Sequence, residues 1–160
     1  MIRVEQLSKT FQLTKKQRKE AGLTSSSVLA VDHIDFECKP GRIFSLLGPN
    51  GAGKTTTLRM IATIMKPSSG NITVAGHDTV TESAEVRKKI GFLTGSTGLY
   101  NRLSANEIIK YFADLYGMEQ TKFKQRKEEL FGLLGIDEFA HKRIGELSTG
   151  MKQKVSIART

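Results

Sequence analysis

The stretch RIFSLLGPNGAGKTTTLRM, residues 42–60, constrains this chain more than any other. Arg42 to Leu47 is a short, nearly continuous apolar run, the pattern of a strand buried on both faces. Gly48, Pro49, Asn50, Gly51, Ala52, Gly53, Lys54 and Thr55 then follow as G-x-x-x-x-G-K-[ST]. From Lys54 onward Leu58, Ile61, Ala62 and Met65 recur at helical spacing, and Pro67 with Gly70 ends the pattern. Strand, glycine loop and helix in this order let successive N–H groups point into one concavity, with the positive dipole end of the helix behind them. A concavity of that kind fits a triphosphate. Lys54 would reach the β- and γ-phosphates, the Thr55 hydroxyl would ligate Mg2+, and Thr56 stands in the same helical turn. The plainer alternative is a glycine-rich turn that merely joins strand to helix; the lysine and threonine at fixed offsets argue against it.

On either side of this unit the elements alternate. Ile2 to Leu7 and Val28 to Cys38 read as strands, Asn71 to Ala75 as another, Ala84 to Lys89 as a short basic helix and Ile90 to Thr94 as a further strand. From Ser104 the texture becomes helical. SANE is a capping box, Ser104 with Glu107, and Ile108, Ile109, Phe112 and Leu115 follow as one apolar stripe. A second helix, about Lys122 to Leu134, sets Phe123, Leu130, Phe131 and Leu134 on one side. The chain closes with LSTGMKQKVSIART, a Ser-Thr-Gly turn and then a helix carrying Val155 and Ala158 on one side. The expected class is α/β.

With 160 residues, 38% apolar and 26% charged, one core is the default. Cys38 is the single cysteine, so no internal disulfide can form, and His33, His77 and His141 are too scattered to suggest a metal site. The longest apolar runs, near Leu46 and Ile61 to Ile64, are far too short to span a bilayer, so any membrane link goes through a partner. The net charge of +9 is densest at Lys15, Lys16, Arg18 and Lys19, within TKKQRKEAGLTSSS, which reads as a solvated, mobile loop between two strands. No aromatic residues alternate with these charges to stack bases, so nucleic acid is not an expected partner.

The order SKTF, GPNGAGKTTTLRMIATIMKPSSGNITVAG, a helical block and then LSTGM resembles the ATP-binding subunit of ABC transporters over essentially the whole chain. The signature motif of that family corresponds to Leu147, Ser148, Thr149, Gly150 and Met151. The resemblance implies a P-loop NTPase core with an antiparallel β subdomain and an inserted helical subdomain, incomplete at the C-terminus. Its parts would be residues 1–99 for the β subdomain and P-loop core, 100–146 for the helical subdomain and 147–160 for the signature and its helix. It implies ATP and Mg2+ as ligands and transmembrane permease subunits as partners. It also implies a second ATP-binding subunit in a head-to-tail dimer, and a cytoplasmic location, peripheral on the inner face of the cell membrane. In such a dimer Ser148, Thr149, Gly150 and Met151 act in trans on the nucleotide held by the partner's P-loop. Ser148 can donate a hydroxyl, Gly150 allows close backbone approach, and the helix N-terminus favours an anion.

Three positions depart from the family pattern. Thr149 replaces a glycine and Met151 a glutamine, which removes an amide near the nucleotide's sugar. Gly95 stands where the family has a glutamine that touches Mg2+ and the attacking water. Phe11 in SKTF matches the aromatic position that stacks on adenine, the alternative being a core aromatic at a strand end. The loop GFLTGSTGLYNRLS with the KKQRKE insert is most similar to the sodium-export group. The family's metal-binding and catalytic acids have no counterpart up to Thr160, so no catalytic residue is assigned within the chain. On the resemblance they are expected beyond it, with the chain a fragment inactive by itself. The alternative reading is an ABC-type ATPase without membrane domains acting on ribosomes or nucleic acid.

Overall fold

Alternation of apolar and polar residues produces β1 (Ile2–Gln12), which lies at the centre of an antiparallel sheet with β2 (Ser27–Cys38), β3 (Ser69–Val74) and β4 (His77–Asp78) in the order β2-β1-β3-β4. The structure is a computed structural model that describes residues 1–22, 24–93 and 98–160. Its chain divides into two units, Met1–Ile90 and Gly91–Thr160.

In the first unit β1 pairs with β2 from Ile2↔Cys38 to Gln12↔Ser27, interrupted by bulges. One of them leaves Gln6 at a φ of 47°, held there by bonds from its backbone N–H and side-chain amide to the Asp35 carboxylate. This is why the strand runs five residues beyond the expected Leu7: the bulge breaks the alternation without ending the ladder. Below the sheet lie α2 (Lys54–Ile61) and α3 (Ser83–Arg87). Leu7, Val31, Met60, Ile72, Val74 and Val86 are among the residues that close the core between them.

The basic stretch expected as a mobile loop is instead a capped helix, α1 (Lys15–Ala21). Thr14 Oγ1 accepts the Gln17 N–H at 3.3 Å, Gln17 Oε1 accepts the Thr14 N–H at 2.9 Å, and Gly22 ends the helix in the left-handed conformation. A reciprocal cap at one end and a glycine at the other satisfy the terminal backbone groups that a polar sequence would otherwise leave to water.

The strands expected at Arg42 to Leu47 and at Ile90 to Thr94 belong to no ladder among the described residues; Thr94 itself lies outside them. A strand buried on both faces requires hydrogen-bonded neighbours, and among the described residues segment 42–47 has none. Ile43 and Leu47 are accordingly 99% and 91% exposed. Helix α2 also ends at Ile61 rather than Met65, because Thr63 turns to a φ of 61° and the Ile64 N–H closes back on the Arg59 carbonyl.

The second unit is helical. It contains α4 (Ala105–Leu115), α5 (Gln120–Leu134), two single 3-10 turns at Asp137–Phe139 and Ile144–Glu146, and α6 (Thr149–Arg159). Ile108, Phe131, Ile136, Ile144, Leu147 and Val155 are at the centre of its core. Of the expected α4 stripe Ile108 and Ile109 are buried, Phe112 packs at the margin, and Leu115 is exposed.

The Ser104 capping box forms as expected. Ser104 Oγ accepts the Glu107 N–H at 3.3 Å, and Glu107 Oε2 accepts the Ser104 N–H at 2.7 Å. That backbone bond, followed by the one from the Ser104 hydroxyl, holds the Glu107 carboxyl below its ordinary pKa. Because the folded pKa is depressed, this contribution to stability is complete above the ordinary glutamate range and is lost as pH falls through the lowered value. Ser104→Ala is expected to cost about 1 kcal/mol, read by chemical denaturation at neutral pH. An unchanged midpoint would show that the box contributes nothing.

Candidate functional site

The loop from Gly48 to Gly53 emerges from the exposed segment 42–47 and delivers the chain into the first turn of α2. It is closed by its own lysine. Lys54 Nζ donates to the carbonyls of Gly48 and Pro49, each at 2.7 Å, so the ammonium spans the loop from end to end. An ammonium has three N–H donors, and these two bonds leave one for a ligand. The Ala52 N–H returns to the Pro49 carbonyl at 3.2 Å, and both the N–H and the hydroxyl of Thr57 bond the Gly53 carbonyl, at 2.8 and 3.1 Å. The loop is therefore pinned at both ends.

Gly53 fixes where the loop sits. It has a φ of 82°, and a Cβ there would overlap the Ala30 carbonyl oxygen and lie 3.0 Å from Val31 Cγ2. The start of α2 is thus pressed directly on β2, an approach only glycine permits. Neither residue of this seat was singled out from the sequence. The signal that identifies it, the register of the β1–β2 hairpin, is long-range.

Thr55 is exposed in the first helical turn, Thr56 is half-buried, and α2 carries no acidic residue in that turn. A cation and helical N–H groups at this turn suit an anion such as phosphate, and the exposed Thr55 hydroxyl beside them is placed where a phosphate-bound magnesium ion would find an oxygen ligand. Among the described residues no group of three or more His, Cys, Asp and Glu could hold a metal alone.

Phe11 is half-buried near the end of β1, opposite Val28. It shares a face of the strand with Lys9, whose Nζ lies 5.5 Å from the ring centroid, and Lys9 is paired with Val31. Val31 is the residue against which Gly53 rests. Phe11 therefore stands on the side of the sheet that carries the loop, and it is not among the residues of the buried cluster. Phe11→Ala is expected to weaken nucleotide binding by about 1–2 kcal/mol, measured by calorimetry. Unchanged affinity would return the ring to a packing role.

In the second unit Ser148 is the N-cap of α6, its Oγ accepting the Met151 N–H at 3.3 Å. Ser148, Thr149 and Gly150 are exposed at this helix start, whereas Met151 is half-buried against the helical core. Gly95 lies outside the described residues.

Residues 31–160 match the family described as ABC transporter. The chain belongs to this family. It is similar to the ABC transporter ATP-binding protein NatA of Bacillus subtilis, with 44% identity over 160 residues, covering 99% of this chain and 61% of that protein. The linearmycin resistance ATP-binding protein LnrL of the same organism is 39% identical over 127 residues, or 79% of this chain and 41% of LnrL. Among solved structures, the dimeric post-hydrolysis state of an ATP-binding cassette bound to ADP and Pi superimposes with a TM-score of 0.79 at 26% identity. That superposition covers 99% of this chain and 68% of that one. The chain thus spans 61% and 41% of the two curated relatives. As an ABC transporter ATP-binding domain it has the α/β cassette fold, with an antiparallel sheet in one unit and helices in the other.

Proposed function

We propose that this chain is the nucleotide-binding portion of an ABC transporter subunit that couples ATP binding and hydrolysis to movement of a solute across a membrane. The observation that carries this reading is the Lys54 clasp on Gly48 and Pro49, which holds a cation and a helix N-terminus at one exposed mouth. On this reading Gly48 to Gly53 cradle the phosphates through backbone N–H groups, Lys54 balances their charge, and Thr55 contributes a hydroxyl to the accompanying Mg2+. Magnesium bound there supplies charge neutralisation for phosphoryl transfer. Phe11 receives the base.

Ser148, Thr149 and Gly150, exposed at the start of α6, are suited to meet the nucleotide of a second subunit in a head-to-tail dimer. The cassette structure that this fold matches is dimeric. Met151 contributes to the core under that helix rather than an amide to the ligand. No helix among the described residues is long and apolar enough to cross a membrane, so passage of the solute is assigned to permease subunits, with this chain peripheral on the inner face. The resemblance of the loop GFLTGSTGLYNRLS, with the KKQRKE insert, to the sodium-export group favours sodium export as the transport reaction. The test is calorimetric titration of Mg-ATP into the intact protein. Saturable binding is expected, and its absence would overturn the reading.

A further inference from the structure

We propose that α1 is an electrostatic collector for the loop at Gly48 to Thr55, raising the rate at which an anionic nucleotide arrives. The inference rests on reading that loop as the ATP site. Over seven residues α1 carries Lys15, Lys16, Arg18 and Lys19 against a single acid, Glu20, a net charge of +3. Glu20 lies 3.9 Å from Lys16, and the two side chains are 63% and 85% exposed, so the pair neutralises little of the field in water. The helix is a fixed feature, since the Thr14 and Gln17 box and the left-handed Gly22 cap both its ends. The charges are thereby held in place rather than dispersed along a loose chain.

Its position follows from the hairpin register. Gly53 rests against Ala30 of β2, and the ladder continues from there through Gln12↔Ser27 to a last bond, Leu13 N–H to the Ser26 carbonyl at 2.8 Å. Ala30 to Ser26 is four residues of extended chain, about 13 Å. On the opposite strand α1 begins at Lys15, two residues after Leu13. Residues 42–60, which contain the loop, include no Asp or Glu to offset this field.

A separation of roughly 15 Å is inside the Debye length of about 30 Å at 0.01 M salt and well outside that of about 8 Å at 0.15 M. Three net charges acting on the dianion of Mg-ATP at that distance should speed association about five-fold in dilute salt and less than two-fold at 0.15 M. Because the cations need not touch the bound ligand, the dissociation rate should hardly change.

The experiment is stopped-flow binding of a fluorescent ATP analogue with Mg2+ to the intact protein at 10 and 150 mM salt. Wild type is compared with the fourfold variant K15Q, K16Q, R18Q and K19Q, glutamine being a good helix former. A control removes the same charge from α5 through K122Q, K124Q, R126Q and K127Q. The expected result is slower association in the α1 variant alone, at low salt alone, with dissociation unchanged. Should the fourfold variant fail to fold, the K15Q/K16Q pair should show about three-fold. Equal association rates, or equal slowing by the α5 variant, would overturn the proposal while leaving the ATP site intact. Unaltered rates together with lost pelleting on vesicles of phosphatidylserine and phosphatidylcholine would assign the helix to a lipid surface instead. Failure of the wild-type protein to bind the analogue would overturn the nucleotide reading itself.

Discussion

Lys54→Ala is expected to lower affinity for Mg-ATP on the order of 100-fold while leaving the fold nearly as stable as before. The two effects separate because the lysine has two kinds of partner. Toward a ligand it offers charge-assisted hydrogen bonds to phosphate, worth about 1.5–3 kcal/mol each, and 100-fold in affinity corresponds to about 2.8 kcal/mol. Toward the protein it donates to the Gly48 and Pro49 carbonyls, both in exposed residues that water can serve in its place. Calorimetry of Mg-ATP binding and thermal melting of the same preparations distinguish these roles. Wild-type affinity in the variant would refute the assignment of the loop. A large drop in melting temperature with little change in affinity would make the clasp a structural tie only.

Gly53→Ala should be strongly destabilising for a single added methyl. The residue has a φ of 82°, where an L-side chain costs roughly 1–2 kcal/mol, and its new Cβ would overlap the Ala30 carbonyl oxygen, a backbone atom with little room to yield. Overpacking of this kind adds about 1–3 kcal/mol, so the total is about 2–5 kcal/mol. Gly51→Ala is the internal control. Its φ is 88° but no atom lies within 4 Å of the position its Cβ would take, so only the conformational cost applies. Denaturation of the two variants side by side should therefore show Gly53→Ala the weaker by at least about 1 kcal/mol. Equal losses would mean that the loop does not sit on β2. Movement of that seat should also displace the Lys54 clasp, so nucleotide binding should fall in Gly53→Ala even where the protein stays folded.

What could be read from the sequence was whatever depends on residues close together in the chain. The glycine loop at Gly48 to Thr55, the Ser104 box and the start of α6 at Ser148 are each specified within eight residues or fewer, and the helices they open begin where the motifs indicate. Helix α1 was equally local and was nonetheless overlooked: Thr14 followed by Gln17 is a capping box and Gly22 a stop, but the run of charge between them suggested only solvent. The strand expected at Arg42 to Leu47 failed for the opposite reason. Apolar continuity shows that a segment seeks burial, but pairing depends on neighbours remote in sequence, and none is found among the described residues. The seat of Gly53 on Ala30, and the common side of Phe11 and the loop, likewise emerge only from a bulged hairpin register.

The exposure of that same segment bears on how the polypeptide behaves in company. RIFSLL is a six-residue stretch without proline or glycine, rich in branched and aromatic side chains and charged only at Arg42, with Ile43 and Leu47 almost entirely open to solvent. Segments of this make-up form steric zippers with copies of themselves, and chaperones and degradation machinery recognise similar exposed apolar surface. Whenever this stretch is uncovered, self-association competes with the native state as concentration rises. The segment that leads into the Gly48 loop is then also a place from which aggregation can start.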